Sequence, residues 1–103
     1  MLTLPIKKQW FLMIRSGEKT EEYRNPTPYW HIRFETLFGE TVDQAIRLKH
    51  KAWVRFRNGY GPESPTISTL ISLSYGTGFE EWGAKKGELY FILHIHKVKE
   101  VSP

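Results

Sequence analysis

The residues best suited to chemistry lie in one short segment, Gly17–Arg24, which reads GEKTEEYR. It places a lysine, several carboxylates and an arginine beside a tyrosine ring. Two prolines follow within four residues of its end, and proline both lacks the amide donor and restricts the residue before it, so a helix cannot run on through them. The segment is therefore predicted to form a short strand with a charged rim.

The chemistry open to Lys19 depends on its charge. Lysine acts as a base or nucleophile only if its pKa falls towards neutrality, whereas nearby carboxylates such as Glu21 and Glu22 favour the charged form. We therefore expect Lys19 to remain an ammonium unless it is strongly desolvated. Such a group suits a phosphate or a developing oxyanion, and Glu22 could activate a water or accept hydrogen bonds from a base's amino group.

The spacing of these side chains sets a geometric condition. On a regular strand Lys19 and Glu22 would point to opposite faces, while Glu22 and Arg24 would share one. We expect strand pairing to begin after Lys19, with Gly17 and Glu18 forming a turn or bulge that directs the lysine towards the other two. The alternative is that Glu22 and Arg24 only pair with each other or with neighbours, which contributes little at a surface.

A second candidate is the densest basic stretch of the chain, where aromatic and cationic side chains alternate. Such a pattern suits single-stranded nucleic acid through base stacking and phosphate contacts, although a solvated strand face explains most runs of this kind. Trp30 and Trp82 could likewise stack on a base at the rim of a cleft, with core packing as the default for any tryptophan. The stretch comprises Arg47, Lys49, His50, Lys51, Trp53, Arg55 and Arg57.

Metal and cofactor chemistry finds little support in the sequence. His94 and His96 lie two residues apart on a predicted strand, a spacing that can hold a metal, but a third ligand is not identifiable and packed or surface histidines are favoured. The absence of cysteine removes thiolate sites and a cysteine nucleophile. No metal and no cofactor are expected.

Hydrophobic periodicity predicts a mixed α/β (α+β) chain of about five strands and two or three short helices. Several strands lack a clear solvent face, so we expect them to close into a small barrel. Strands are predicted at about 2–6, 19–24, 53–57, 66–75 and 88–98, and helices at about 7–16 and 28–38. Residues 41–51 fit either a helical turn or a strand, and residues 79–87 fit a helical turn or an ordered loop.

Length and charge bound the class of protein. A chain of 103 residues with 40% hydrophobic residues corresponds to one packed domain. Its formal net charge of +4 is compatible with an anionic partner such as nucleic acid. With no leader and no apolar run of about 20 residues, we expect a soluble cytoplasmic protein without membrane contact, either a monomer or a weak dimer.

A helix that ends in glycine and leads into Gly-x-Lys-x-x-Glu-x-Arg is similar to the signature of the ASCH domain family, the PUA-like β-barrels named for activating signal cointegrator homology. Gly17, Lys19, Glu22 and Arg24 occupy its four positions. The resemblance implies that residues 1–103 form a single ASCH domain, a PUA-like barrel with a cleft lined by this motif. The family is proposed to bind RNA or nucleotides.

The resemblance also implies two kinds of activity. Some similar members hydrolyse the amide of an N4-acetylated cytidine, and ribonuclease activity has been attributed to others. In the deacetylating members a lysine and a threonine on this strand, with a distant glutamate, are the proposed catalytic group. Lys19 matches that lysine, Glu22 stands in the position of the threonine, and Glu80 and Glu81 are candidates for the distant glutamate.

The sequence thus predicts an ASCH domain that binds RNA, a nucleotide or a modified nucleoside. The alternative is a small metal-independent hydrolase of an acylated cytidine amide or an RNA phosphodiester, with Lys19 stabilising negative charge and Glu22 handling protons. A third possibility is a protein-interaction adaptor whose exposed tryptophans meet a partner. The predicted ligand-binding residues are Gly17, Lys19, Glu22, Arg24, Trp30, Arg55, Arg57 and Trp82.

Overall fold

The computed structural model describes residues 1–101. Within that range the chain forms five strands, three α-helices and one 3-10 turn. The strands are β1 (Thr3–Ile6), β2 (Glu21–Arg24), β3 (Lys51–Asn58), β4 (Thr66–Thr77) and β5 (Leu89–Val101), and the helices are α1 (Lys8–Ser16), α2 (Pro28–Phe38) and α3 (Val42–Arg47), with the 3-10 turn at Glu80–Trp82.

The five strands form one sheet in the order β1-β3-β4-β5-β2. β1 runs parallel to β3, and the other three pairs are antiparallel. The sheet curls into a half-barrel, in agreement with the predicted small α+β barrel-like class. Closure is less complete than predicted, since β1 and β2 are edge strands of the sheet that the described residues form.

The main core lies between the three helices and one face of the sheet. Phe11 and Ile14 from α1 and Phe34 from α2 are almost fully buried there, against Val54 and Phe56 of β3. The alternation of β3 accounts for this, because Val54 and Phe56 are two residues apart and so share a face. The opposite face of β3 carries Arg55 and Arg57, as the alternation predicted.

β5 is apolar on both sides, as predicted for a strand in the interior of a sheet. Phe91 and Leu93 belong to the main core. Tyr90 and Ile92 point to the other face and form a second, smaller cluster with Tyr23. Each face of β5 is therefore covered, one by the helices and the other by the segment that precedes the strand, which contributes Ala84 and Trp82.

The ambiguous residues 41–51 divide into α3 and the first residues of β3. Local hydrogen bonds favour the helix, because the Thr41 hydroxyl accepts from the Gln44 amide and the Glu35 carboxylate accepts from the Val42 amide. Both bonds satisfy donors that a helix N-terminus leaves free. None of the helices in the described range is long and apolar enough to cross a membrane.

Candidate functional site

A cleft of about 560 Å³ lies where the two edge strands of the half-barrel face each other. Pro5 and Ile6 of β1 form one side, and Glu22, Tyr23 and Arg24 of β2 form the other. Among the described residues, its walls carry six aromatic side chains, three cations and one carboxylate. The complete lining is Pro5, Ile6, Lys7, Lys8, Trp10, Glu22, Tyr23, Arg24, Trp30, Asn58, Gly59, Tyr60, Trp82, Gly83 and Tyr90.

The end of α1 positions the charged motif. Gly17 adopts a left-handed conformation with φ of 85°, which lets the chain reverse, and the Lys19 amide then donates to the Met13 carbonyl. Strand pairing begins only at Glu21. Lys19 is therefore free of the strand alternation, and its ammonium reaches Glu22. Glu22 thus pairs with both Lys19 and Arg24.

The Lys19 ammonium is enclosed, with its side chain 1% exposed. Its Nζ lies 2.8 Å from Glu22 Oε1, donates to the Trp82 carbonyl at 2.6 Å and stands 4.3 Å from the centroid of the Trp10 ring. Burial lowers the pKa of Lys19 from its ordinary value, although Glu22 acts in the opposite direction. Desolvation is the larger effect, which is the exception that the sequence expectation made for a strongly desolvated lysine.

Glu22 joins the two cations. Its second oxygen, Oε2, lies 2.5 Å from Arg24 Nη1, and that guanidinium also donates to the Tyr23 carbonyl at 2.8 Å and, through Nη2, to the Pro5 carbonyl at 3.3 Å. Arg24 thus connects β2 to β1 across the gap in the half-barrel. Its guanidinium carbon lies 5.2 Å from the centroid of Trp30. The Glu22 and Arg24 ion pair is therefore not the solvent-exposed surface pair considered as the alternative, because Glu22 is only 5% exposed.

Tyr23 fixes the segment 78–84 beside the cleft. Its hydroxyl donates to Glu21 Oε1 at 2.9 Å and accepts from the Phe79 amide at 3.0 Å. Burial raises the pKa of this phenol, so the neutral form that makes both bonds is favoured. Together with the Lys19 bond to the Trp82 carbonyl, two side chains of the charged segment hold the loop that carries Trp82.

The change Tyr23→Phe tests this attachment. We expect it to lower the free energy of unfolding by about 1–3 kcal/mol, because the Phe79 amide loses its acceptor while the ring stays in place. Faster hydrogen exchange should be confined to residues 78–84, as measured by mass spectrometry. Tyr60→Phe is the control, since Tyr60 is 87% exposed. Equal stability and exchange in both variants would contradict the role given to Tyr23.

Gly78 offers a second test of the same contact. A Cβ placed there would lie 2.5 Å from Cε1 of Tyr23 and 2.8 Å from Cβ of Ala84, so one of them must move. We expect Gly78→Ala to lower the free energy of unfolding by about 1–3 kcal/mol. At Gly76, where the nearest atom would lie 3.7 Å away, the same change should be close to neutral. Chemical denaturation of both variants decides, and equal midpoints would contradict the close approach.

The structure brings some of the predicted ligand-binding residues together and separates others. Glu22, Arg24, Trp30 and Trp82 line the cleft, and Lys19 lies behind its wall rather than in it. Gly17 serves to turn the chain and is not a lining residue. Two further predicted residues lie on β3 outside the lining, and these are Arg55 and Arg57.

Sequence reasoning missed several lining residues, above all Lys7 and Lys8. A signal was available, because both stand at the N-terminus of α1, whose first turn holds no acidic residue. The helix dipole disfavours positive charge at this end, so two lysines there call for an explanation. Trp10, Tyr60 and Tyr90 were missed for a different reason, since they come from separate segments that only the fold brings to one cleft.

The histidine pair makes contacts with neighbouring strands. His94 Nε2 lies 2.7 Å from the Ser74 hydroxyl, and His96 Nε2 lies 2.7 Å from the Ser72 hydroxyl. A register shift of β5 against β4 falls at this point. Among residues 1–101, no group of three or more His, Asp or Glu side chains is placed to hold a metal ion.

The arrangement as a whole can bind a planar polar ligand. Aromatic rings can stack on a flat face, a fixed carboxylate can accept hydrogen bonds, and cations at the rim can meet an anion. Comparisons with protein-family models, with curated proteins and with solved structures find no match to this chain.

Proposed function

We propose that this chain is an ASCH domain with a PUA-like fold, and that its cleft binds one nucleoside unit, either free, as a nucleotide, or within an RNA. The observation that carries this proposal is the Glu22 and Arg24 pair, held in a fixed geometry between aromatic walls. A cleft of about 560 Å³ falls within the size range of small-molecule sites. It has room for one base and its sugar.

The chemistry of the walls fits a nucleobase. A carboxylate accepts hydrogen bonds from an exocyclic amino group such as that of cytosine, and a guanidinium donates to ring carbonyl or phosphate oxygens. Trp30 and Trp82 provide flat surfaces on which an unpaired base stacks. Lys7 and Lys8, both exposed at one side of the cleft, supply charge for a phosphate.

The resemblance to ASCH domains adds independent support. All four motif positions are present, and the curled five-stranded sheet with the motif beside its open side is compatible with a PUA-like barrel. The buried Lys19 then has a positioning role, because it holds Glu22 and the Trp82 carbonyl rather than meeting the ligand. This differs from the role that the deacetylating members imply.

Calorimetric titration tests the proposal. The probes are cytidine, N4-acetylcytidine and cytidine monophosphate, each at about 50 mM salt, where phosphate contacts are least screened. We expect saturable binding of at least one probe with one site per chain, and weaker binding of the monophosphate as salt rises. Absence of heat and of tryptophan fluorescence change with all three, and with the corresponding uridine and adenosine compounds, would contradict the proposal.

One observation favours a second function, a metal-independent hydrolase. Glu22 is a carboxylate in the cleft wall and is paired with a lysine whose pKa is lowered. In this reaction Glu22 would take a proton from a water molecule while the oxygen of that water bonds to the amide carbon of an acylated cytidine. The C–N bond then breaks, and Glu22 returns the proton to the departing amine of cytidine. Release of cytidine from N4-acetylcytidine, lost in Glu22→Gln while binding is kept, would establish turnover. Binding of N4-acetylcytidine without turnover would reject the hydrolase and retain the nucleoside-binding domain.

A further inference from the structure

The face of the sheet opposite the main core carries a second assembly that the cleft does not include. We name it the basic sheet face and define it by six residues. Lys51, Trp53 and Arg55 come from β3, Leu70 comes from β4, and Lys97 and Lys99 come from β5. None of the six lines the cleft.

Strand register places these residues together. Trp53 pairs with Leu70, and Leu70 pairs with Lys97, so that the three form one row across the sheet. In the next row of the sheet, Arg55 and Lys99 flank Ser68. Lys51 lies on the opposite side of the Trp53 row, where it pairs with Ser72. Val54 and Phe56 alternate with these residues and face the core, which directs all of the cations outward.

The charges of this face are not balanced by the protein. In the part of the chain that the structure describes, Lys51, Arg55, Lys97 and Lys99 form no ion pair and no side-chain hydrogen bond. The paired segments 51–57, 66–72 and 94–101 contain one acidic residue, Glu100, which alternates with Lys99 and so faces the other side of the sheet, where it lies 3.7 Å from Arg15. On the β2 side, Glu21 lies opposite His94 and contacts it at 3.6 Å. Like charges held this close repel one another, and a polyanion would relieve that repulsion.

Trp53 occupies the centre of this face and is 38% exposed. Lysines can blunt strand edges, and Lys51, Lys97 and Lys99 lie where β3 and β5 extend beyond their outer partners, since β1 pairs with residues 55–58 and β2 with residues 91–94. Edge protection does not account for Arg55, which has strand partners on both sides, or for the exposed Trp53. What the face offers is a flat aromatic surface within a field of cations, the combination that binds single-stranded nucleic acid by stacking and phosphate contacts.

We propose that the basic sheet face binds single-stranded RNA independently of its sequence, with a base stacked on Trp53 and phosphates at Lys97, Lys99, Arg55 and Lys51. This goes beyond the function proposed for the cleft, because it concerns other residues and a polymer rather than one nucleoside. The basic stretch singled out in the sequence supplies half of the face. Leu70 comes from β4, and the other two residues come from β5, about 45 residues further along the chain.

Fluorescence polarisation of a labelled twelve-nucleotide oligouridine, at several salt concentrations, tests the proposal. The double variant Lys97→Gln, Lys99→Gln should weaken binding at least tenfold at about 50 mM salt and reduce the salt slope by about 1.4, since each phosphate contact on a single strand contributes about 0.7. Trp53→Ala should weaken binding at least fivefold, and Trp53→Phe should retain most of the affinity.

The matched control is Lys85→Gln, Lys86→Gln, which removes the same two charges from exposed lysines outside the face. It should change the affinity by less than threefold. Equal losses in the two double variants would mean that net charge alone drives binding and would overturn the proposal. So would tighter binding to vesicles of phosphatidylcholine with phosphatidylserine than to the RNA, because the face would then be a membrane contact.

A cleft variant separates this inference from the proposed function. Trp30→Ala should weaken oligouridine binding less than Trp53→Ala does, since Trp30 lies in the cleft and not on the basic sheet face. Loss of RNA binding in Trp30→Ala, together with none in the face variants, would place the RNA in the cleft and overturn this inference alone. If no nucleoside binds to the protein but the face variants still weaken RNA binding, the function proposed for the cleft is wrong and the inference about the basic sheet face stands.

Discussion

Glu22→Gln is expected to lower the free energy of unfolding by about 3–5 kcal/mol, the usual cost of removing one partner from a buried ion pair. The carboxylate contacts Lys19 on one side and Arg24 on the other, and both glutamate and lysine are almost fully buried. Glutamine keeps one oxygen that can accept from Lys19, but it carries no charge and its NH2 group would face the Arg24 guanidinium, so the buried ammonium loses its counter-ion. Thermal unfolding followed by circular dichroism should show a midpoint lower by more than about 10 °C.

Two comparisons make this result specific. Glu18→Gln removes the same charge from an exposed position in the turn that precedes Lys19 and should change stability by less than about 0.5 kcal/mol. The double variant Lys19→Met, Glu22→Gln should recover part of the loss, because the buried ammonium is removed while the Arg24 guanidinium keeps the Tyr23 and Pro5 carbonyls as acceptors. A cost below about 1 kcal/mol for Glu22→Gln would mean that the pair behaves as a solvated surface contact.

Trp30→Ala is expected to weaken nucleoside binding by about tenfold or more, in line with 1–3 kcal/mol for the loss of one base-stacking ring. Trp30 lines the cleft, and its exposed side faces the space next to Arg24. Its other contacts are with Phe34, at 5.8 Å between ring centroids, and with Tyr29. The ring is thus held by α2 in one orientation before any ligand arrives. Calorimetry with the best of the cytidine probes gives the dissociation constants.

Trp30→Phe is the control for loss of nucleoside binding through misfolding. It keeps an aromatic ring against Phe34 and should retain most of the affinity. Trp53→Ala is the matched control for loss of a tryptophan, and it should leave nucleoside binding unaltered because Trp53 lies outside the cleft. Equal binding by Trp30→Ala and the unaltered protein would remove stacking on this ring from the proposed function.

Much of the local structure could be predicted because short-range interactions decide it. Thr27 caps α2 and Pro28 begins it, and glycines end both α1 and α2 in the left-handed conformation. The alternation of β3 correctly separated its core side from its basic side. The interval 41–51 could not be resolved, since its apolar spacing fits both a helix and a strand and the deciding Glu35 bond comes from another element.

The candidate site was predictable in part for the same reason. The proximity of Lys19, Glu22 and Arg24 follows from a turn and a strand only eight residues long, so the sequence could state the condition for their convergence. It could not give the burial of Lys19, which depends on Trp10 and Trp82 from elsewhere in the chain. That burial lowers the lysine pKa and moves Lys19 out of the cleft lining.

The sequence by itself determined which residues carry charge, where α1 and α2 begin and end, and which side of β3 is basic, because periodicity and capping act within a few positions. Only the tertiary structure decided which of those groups meet. Strand order brings β1 and β2 together as the two edges of a half-barrel and opens the cleft between them. The same order places Lys97 in one row with Trp53, with Leu70 of β4 between them, and Lys99 in the next row. Contacts between distant segments depend on how the whole core packs, and no local pattern records them.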